Sequence, residues 1–303
     1  MATPEIGRLL TAMITPFKAD GSVDYGATEK LAAMLVADGS DGVVVSGTTG
    51  ESPTLSDDEK IELIKVIKKA IPRHSVVAGT GSSDTHHSVE LSERAMKAGA
   101  DALLAVVPYY SKPPQEGMYQ HFKAISDIGP TIMYNIVGRT AVNMTAATTI
   151  RCAQLPGIIG VKEASGDLDQ IGLVCAGKPA QFKVWSGDDS WTLPVLAVGG
   201  HGVICVVSHI AGRSMKKLIE AYARADTQTA REIHHGLLPV IKALMTTAAN
   251  PVPVKSALNA MGFAAGPFRL PLVPLTDDQL KSVMQTIGDA GDLITYNTGV
   301  KVA

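Results

Sequence analysis

Pro156-Gly-Ile-Ile-Gly-Val-Lys-Glu-Ala-Ser-Gly166 is the stretch on which the fold turns. A short apolar run bounded by Gly and Pro reads as a strand buried on both faces, the pattern of a parallel sheet covered by helices. Lys162 closes it. An ammonium there is costly, and burial favours the neutral amine, a nucleophile able to form a Schiff base with a carbonyl. The plainer reading is a lysine whose stem packs on the sheet while its tip reaches water.

Similar strands lie on both sides of this one: Leu9–Pro16, Gly42–Ser46, Ser75–Gly79, Ala102–Pro108, Thr131–Tyr134, Lys183–Ser186 and Gly202–Val207. Amphipathic stretches separate them. Ser56-Asp-Asp-Glu59 is a capping signal ahead of Ile61, Leu63, Ile64, Ile67 and Ile71, and Asp84 with Thr85 opens a second helix that closes at Gly99. Eight such units with no long polar linker predict an α/β chain folded as a closed (β/α)8 TIM barrel. An open doubly wound sheet would need a Gly-rich fingerprint after its first strand, and Thr15-Pro-Phe17 is not one. Helical patterns at Thr227–Thr247, Val252–Met261 and Thr276–Ala290 exceed what the barrel needs. The chain is therefore expected to divide into a barrel over 1–224 and a C-terminal helical extension over 225–303.

The 303 residues are 46% hydrophobic with a net charge of −2. That leaves room for a large core, and no basic block calls for nucleic acid or an anionic membrane. No run of about 18 apolar residues and no signal-peptide pattern occurs. Cys152, Cys175 and Cys205 lack paired spacing, so the expectation is a soluble cytoplasmic protein. His86-His87 and His234-His235 are adjacent pairs, not the i, i+4 pairs that put two imidazoles on one helix face, and no metal is expected.

In a barrel of this kind chemistry gathers at the C-terminal ends of the strands. Strand two runs into Gly47-Thr-Thr-Gly-Glu-Ser52, whose N–H groups and two hydroxyls make a cup for a phosphate or a carboxylate; a capped βα turn is the alternative. Strand seven ends Ser186-Gly-Asp-Asp189, and two carboxylates at the mouth would repel a phosphate. A small carboxylate ligand on Thr48 and Thr49 is the better fit, which also disfavours pyridoxal phosphate at Lys162. Tyr134, at the end of strand five, neighbours Lys162 and is placed to pass protons. Glu163 alternates outward and reads as structural. Arg139, in the loop over the mouth, is a fork suited to a substrate carboxylate.

Taken together, Gly47–Ser52, Pro108-Tyr-Tyr110, Tyr134-Asn135, Gly160-Val-Lys-Glu-Ala164, Ser186–Asp189 and Asn250-Pro-Val-Pro-Val-Lys255 resemble the pyruvate-dependent Schiff-base lyases and synthases, over about Gly7 to Ala290. Within them Gly138-Arg-Thr140 and the double threonine resemble the dihydrodipicolinate synthase branch. The resemblance implies that Lys162 forms the imine with pyruvate, that Thr48 and Thr49 hold its carboxylate, and that Thr48, Tyr134 and Tyr110 relay protons. It implies that Tyr110 reaches into a second subunit, in a homotetramer built as a dimer of dimers or in a homodimer. Arg139 would receive the carboxylate of aspartate β-semialdehyde, and the backbone of Gly187 and Ile204 would line the pocket. No cofactor is implied. Two alternatives stand beside this one: a sialic-acid-type or 2-keto-3-deoxy sugar acid aldolase, and a catalytically silent binding barrel. Ser52, Pro53, Asp57, Lys60, Ser83, His87 and Tyr109 match the positions of a lysine-binding allosteric site. His87 stands where a glutamate would hold the effector's ammonium and Lys60 adds like charge, so little response to lysine is expected. Val137 and Ala141 depart from the branch, which favours proline and glycine there; both changes bear on the loop that carries Arg139.

Overall fold

A computed structural model of the chain describes residues 5–296; the outer ends of both expected segments, 1–4 and 297–303, lie outside the described residues. Eight parallel strands close on themselves in chain order: β1 (Leu9–Ala12), β2 (Gly42–Val45), β3 (Ser75–Gly79), β4 (Ala102–Val106), β5 (Thr131–Asn135), β6 (Ile158–Glu163), β7 (Lys183–Ser186) and β8 (Gly202–Cys205). β1 pairs with both β2 and β8, which leaves no sheet edge. The strands are those read from the sequence; β1, β2, β4 and β8 end earlier than expected because the chain leaves the sheet to form the mouth, while β5 and β6 run one residue further.

Two apolar layers follow from side-chain alternation. Leu10, Val44, Val77, Leu104, Ile132, Trp185 and Ile204 fill the barrel interior, while Leu9, Val43, Val76, Leu103, Met133, Val161 and Val184 face the helices. Gly160 belongs to this packing: a Cβ there would lie 2.5 Å from the Trp185 ring. The indole Nε1 donates to the Gly7 carbonyl at 2.9 Å and so closes the floor of the barrel.

The helices start where the capping residues require. Ser56 Oγ accepts from Glu59 N at 3.2 Å and Glu59 accepts from Ser56 N at 2.9 Å, opening the helix Asp57–Ala70. Asp84 caps Thr85–Lys97 by accepting from His86 N at 2.9 Å. After the helix Ser208–Ala223 come Thr227–Thr246, Val252–Ala260 and Asp277–Asp289. These last helices reach back to the mouth: Asn250 and Lys255 make hydrogen bonds to Thr49, Glu51 and Thr15.

Candidate functional site

Lys162 and Tyr134 are register partners on β6 and β5, so both side chains enter the barrel at one level. Lys162 is 6% exposed, and its Nζ lies 4.3 Å from the centroid of the Tyr134 ring. No carboxylate bridges to this amine among the described residues. Gly187 completes the niche by omission, because a Cβ there would come 3.2 Å from Lys162 Cε. Ile204 is fully buried in the interior cluster that also holds Tyr134.

Above this pair opens a cavity of about 250 Å³ lined by Ser46, Gly47, Thr48, Tyr134, Arg139 and Thr140 among others. Thr49 is buried and its Oγ1 accepts from Asn250 Nδ2 at 2.9 Å, which frees the hydroxyl proton for a different acceptor. Ser46, at φ 55°, turns the chain out of β2 into the cup. Such a conformation is strained for a residue with a Cβ, and strain of this kind gathers where the surrounding structure fixes a functional geometry. A larger cavity, about 530 Å³, sits at the opposite end beside Arg8, Asp41 and His201. It lies at the strand N-termini, the end where barrels of this kind carry stability and not chemistry.

The Arg139 loop is ordered without the expected proline. Val137–Thr140 forms one helical turn, tied by Thr140 Oγ1 to the Ile136 carbonyl at 2.9 Å. The guanidinium donates to the Asn250 carbonyl at 3.2 Å and is otherwise exposed. Ala141 takes the left-handed conformation at φ 56° that glycine would adopt freely.

Two further expectations resolve differently in kind. Glu163 does face outward: it is buried behind the sheet, accepts from Asn135 Nδ2 at 3.1 Å and Ser165 N at 2.9 Å, and burial raises its pKa against those bonds. The carboxylates after β7, by contrast, are not open to the mouth. Asp188 caps Ser190 N at 2.9 Å, while Asp189 is buried and accepts Val206 N at 3.0 Å and Val207 N at 2.6 Å. Burial pushes the Asp189 pKa up to about 6 although both amides favour its charge. The backbone amides after β8, which in many barrels receive phosphate, are thus already occupied. Phosphate is disfavoured by occupation of its donors and not by an exposed pair of charges.

Tyr110 does not join the cavity of its own chain: it is 93% exposed at φ 70°. Of the matched effector positions, Ser52, Pro53 and Tyr109 line the same cavity as Tyr134. Asp57 accepts from His87 Nε2 at 2.8 Å and pairs with Lys60 at 3.3 Å; Ser83 is exposed. Burial raises the Asp57 carboxyl, but the His87 and Lys60 contacts more than offset it, and its pKa lies below the ordinary value. Glu51 and Lys255 are the functional candidates that sequence reasoning passed over. The available signal was a lysine in the helix Val252–Ala260 directly after the apolar run Val252-Pro-Val254.

No helix among the described residues is long and apolar enough to cross a membrane. A family model, the dihydrodipicolinate synthetase family, matches residues 5–290. The 4-hydroxy-tetrahydrodipicolinate synthase of Moorella thermoacetica is 52% identical over 288 residues, covering 94% of this chain and 98% of that protein. The protein of the same name from Bacillus subtilis is 49% identical, with 93% and 99% covered. The crystal structure of DHDPS from Cyanidioschyzon merolae with lysine bound superposes with a TM-score of 0.92 at 43% identity, over 94% of this chain and 98% of that one. The barrel in its strand order, the amine beside the phenol and nearly full-length similarity lead to one conclusion: the chain belongs to the dihydrodipicolinate synthetase family.

Proposed function

We propose that the protein is a 4-hydroxy-tetrahydrodipicolinate synthase that condenses pyruvate with L-aspartate β-semialdehyde. One observation carries the reading: a buried lysine with no carboxylate partner among the described residues, 4.3 Å from the ring of a tyrosine that lines the cavity. Lys162 Nζ attacks the ketone carbon of pyruvate and water leaves, giving a protonated imine. Thr48 and Thr49 receive the carboxylate. The cationic nitrogen acidifies the methyl group; Tyr134 takes the proton onward, and the resulting enamine forms the carbon–carbon bond to the aldehyde. The amine of the new product then attacks the imine carbon, closes the ring and releases Lys162. Arg139 receives the carboxylate of the semialdehyde as a bidentate fork.

In this reading Tyr110, exposed in its own chain, completes the relay of a neighbouring copy, so two chains form the smallest active unit and a tetramer pairs such dimers. The barrel over 1–224 carries the chemistry and the extension over 225–303 supports it. An Arg fork over the mouth supports a second carboxylate better than a polyhydroxylated sugar acid, which calls for neutral hydrogen-bonding groups.

Borohydride added with pyruvate tests the reading, since it reduces only an imine to a stable secondary amine. One pyruvate-dependent adduct per chain on Lys162 is expected, with turnover on aspartate β-semialdehyde and not on N-acetylneuraminate. No adduct, or an adduct on Lys255, would sink the mechanism.

A further inference from the structure

We propose that Glu51 and Lys255 are positioning residues for the first substrate: their buried ion pair braces the Gly47–Ser52 turn so that its threonines face the ligand. This rests on reading that turn as the seat of the pyruvate carboxylate.

Glu51 follows directly on Thr48-Thr49-Gly50 and sits at φ 57°, a left-handed conformation that a glutamate holds only under restraint. The restraint is visible. Its side chain is fully buried, Oε1 accepts from Lys255 Nζ at 2.7 Å, and Oε2 accepts from Arg269 N at 3.2 Å. Lys255 Nζ also donates to the Thr15 carbonyl at 2.9 Å, and Thr15 Oγ1 donates to the Gly50 carbonyl at 2.7 Å. A ring of contacts therefore runs from β1's exit through the cup to the C-terminal extension and back. The Phe17 ring, its centroid 4.1 Å from Lys255 Nζ, covers the ammonium on one side.

Glutamate in a glycine-rich turn ordinarily points into water. Burying two charges is an inefficient way to stabilise a fold, since apolar residues of equal volume do as well or better. Such a pair does fix position, because both partners must stay in register. What it fixes here is the turn that carries Thr48 and Thr49. The same C-terminal segment also touches both proposed carboxylate seats: Asn250 Nδ2 holds Thr49 Oγ1 at 2.9 Å, and the Asn250 carbonyl holds Arg139 Nη2 at 3.2 Å. Residues Asn250 to Lys255 accordingly set the separation between the two seats.

The test is the double variant Glu51→Gln/Lys255→Met, which removes both charges at once and so leaves neither buried alone. Two readouts are taken on the full chain. Without substrate, hydrogen exchange at the amides of Gly47–Ser52 is expected to quicken about tenfold or more as the turn loosens. With pyruvate and borohydride, the adduct still forms on Lys162 at saturation, but the pyruvate concentration for half-trapping rises about tenfold, as a displaced binding group demands. The KM for pyruvate follows, while kcat changes less. Should the double variant not fold, Glu51→Asp keeps the charge on a shorter stem and is read in the same two ways. A variant with lowered Tm but unchanged exchange and an unchanged pyruvate midpoint overturns the proposal and leaves the pair a purely structural one. If the wild-type chain traps no pyruvate, the synthase reading fails, and the exchange readout alone still decides whether the pair braces the turn.

Discussion

Among the described residues two lysines are buried in the core, and their surroundings differ in one decisive respect. Lys255 is fully buried, with a carboxylate at 2.7 Å and a carbonyl at 2.9 Å; burial lowers its pKa on balance, although Glu51 opposes the shift. Lys162 is nearly as buried, yet among the described residues it meets the face of Tyr134, a residue that lines the cavity, instead of a carboxylate. Burial alone therefore does not mark a nucleophile. A lysine held by a carboxylate and a carbonyl is fixed in place; one that meets neither among the described residues can reach a carbonyl ligand.

Replacing each lysine separates the two roles. Lys162→Ala is expected to lower the rate by roughly 10³-fold or more while the chain stays folded, because a covalent step disappears. Lys255→Ala is expected to destabilise the fold by about 3–5 kcal/mol, because it leaves the Glu51 carboxylate buried without its partner. Urea denaturation beside steady-state kinetics reads both. If Lys162→Ala unfolds the chain, or Lys255→Ala leaves stability untouched, the contrast between the two sites collapses. Tyr134→Phe sharpens the chemistry of the first site: kcat is expected to fall by about 10²-fold with pyruvate trapping retained, since only a proton carrier is lost. Loss of trapping in that variant would mean that the phenol acts in imine formation itself.

The smallest expected effect concerns a third amine, that of free lysine. Its ammonium would need a carboxylate, and Asp57 is already shared between His87 and Lys60. We expect half-inhibition above about 1 mM lysine, the scale of weak binding. Tight inhibition in a steady-state titration would show that Asp57 releases its present partners.

Most of the barrel was legible because each strand is an apolar run bounded by turn residues, and the capping box at Ser56 is local to four residues. Lys162, Tyr134 and Arg139 were legible as residues at strand ends and in a mouth loop, and the structure brings Tyr134 and Arg139 to one cavity with Lys162 beside them. What escaped was long-range or directional. Glu51 and Lys255 are 204 positions apart, and nothing in either local stretch announces the other. Asp189 sat next to Asp188 and read as its twin, yet in the tight turn after β7 one carboxylate caps the turn and the other reaches beneath the strand-eight loop. Val137 looked like a weakness of the Arg139 loop, but hydrogen bonds from Thr140 and to Asn250 hold what a proline ring would otherwise restrict.

Asp189 has a consequence for selectivity in a solution crowded with phosphate esters. Its carboxylate acts as a permanent tenant on the amides of Val206 and Val207. Being part of the chain, it competes at an effective concentration that no dissolved anion at cellular levels matches. A phosphorylated metabolite entering the mouth meets no vacant seat there, whatever its abundance. A phosphate group can use these two amides only by displacing a carboxylate that the chain itself supplies.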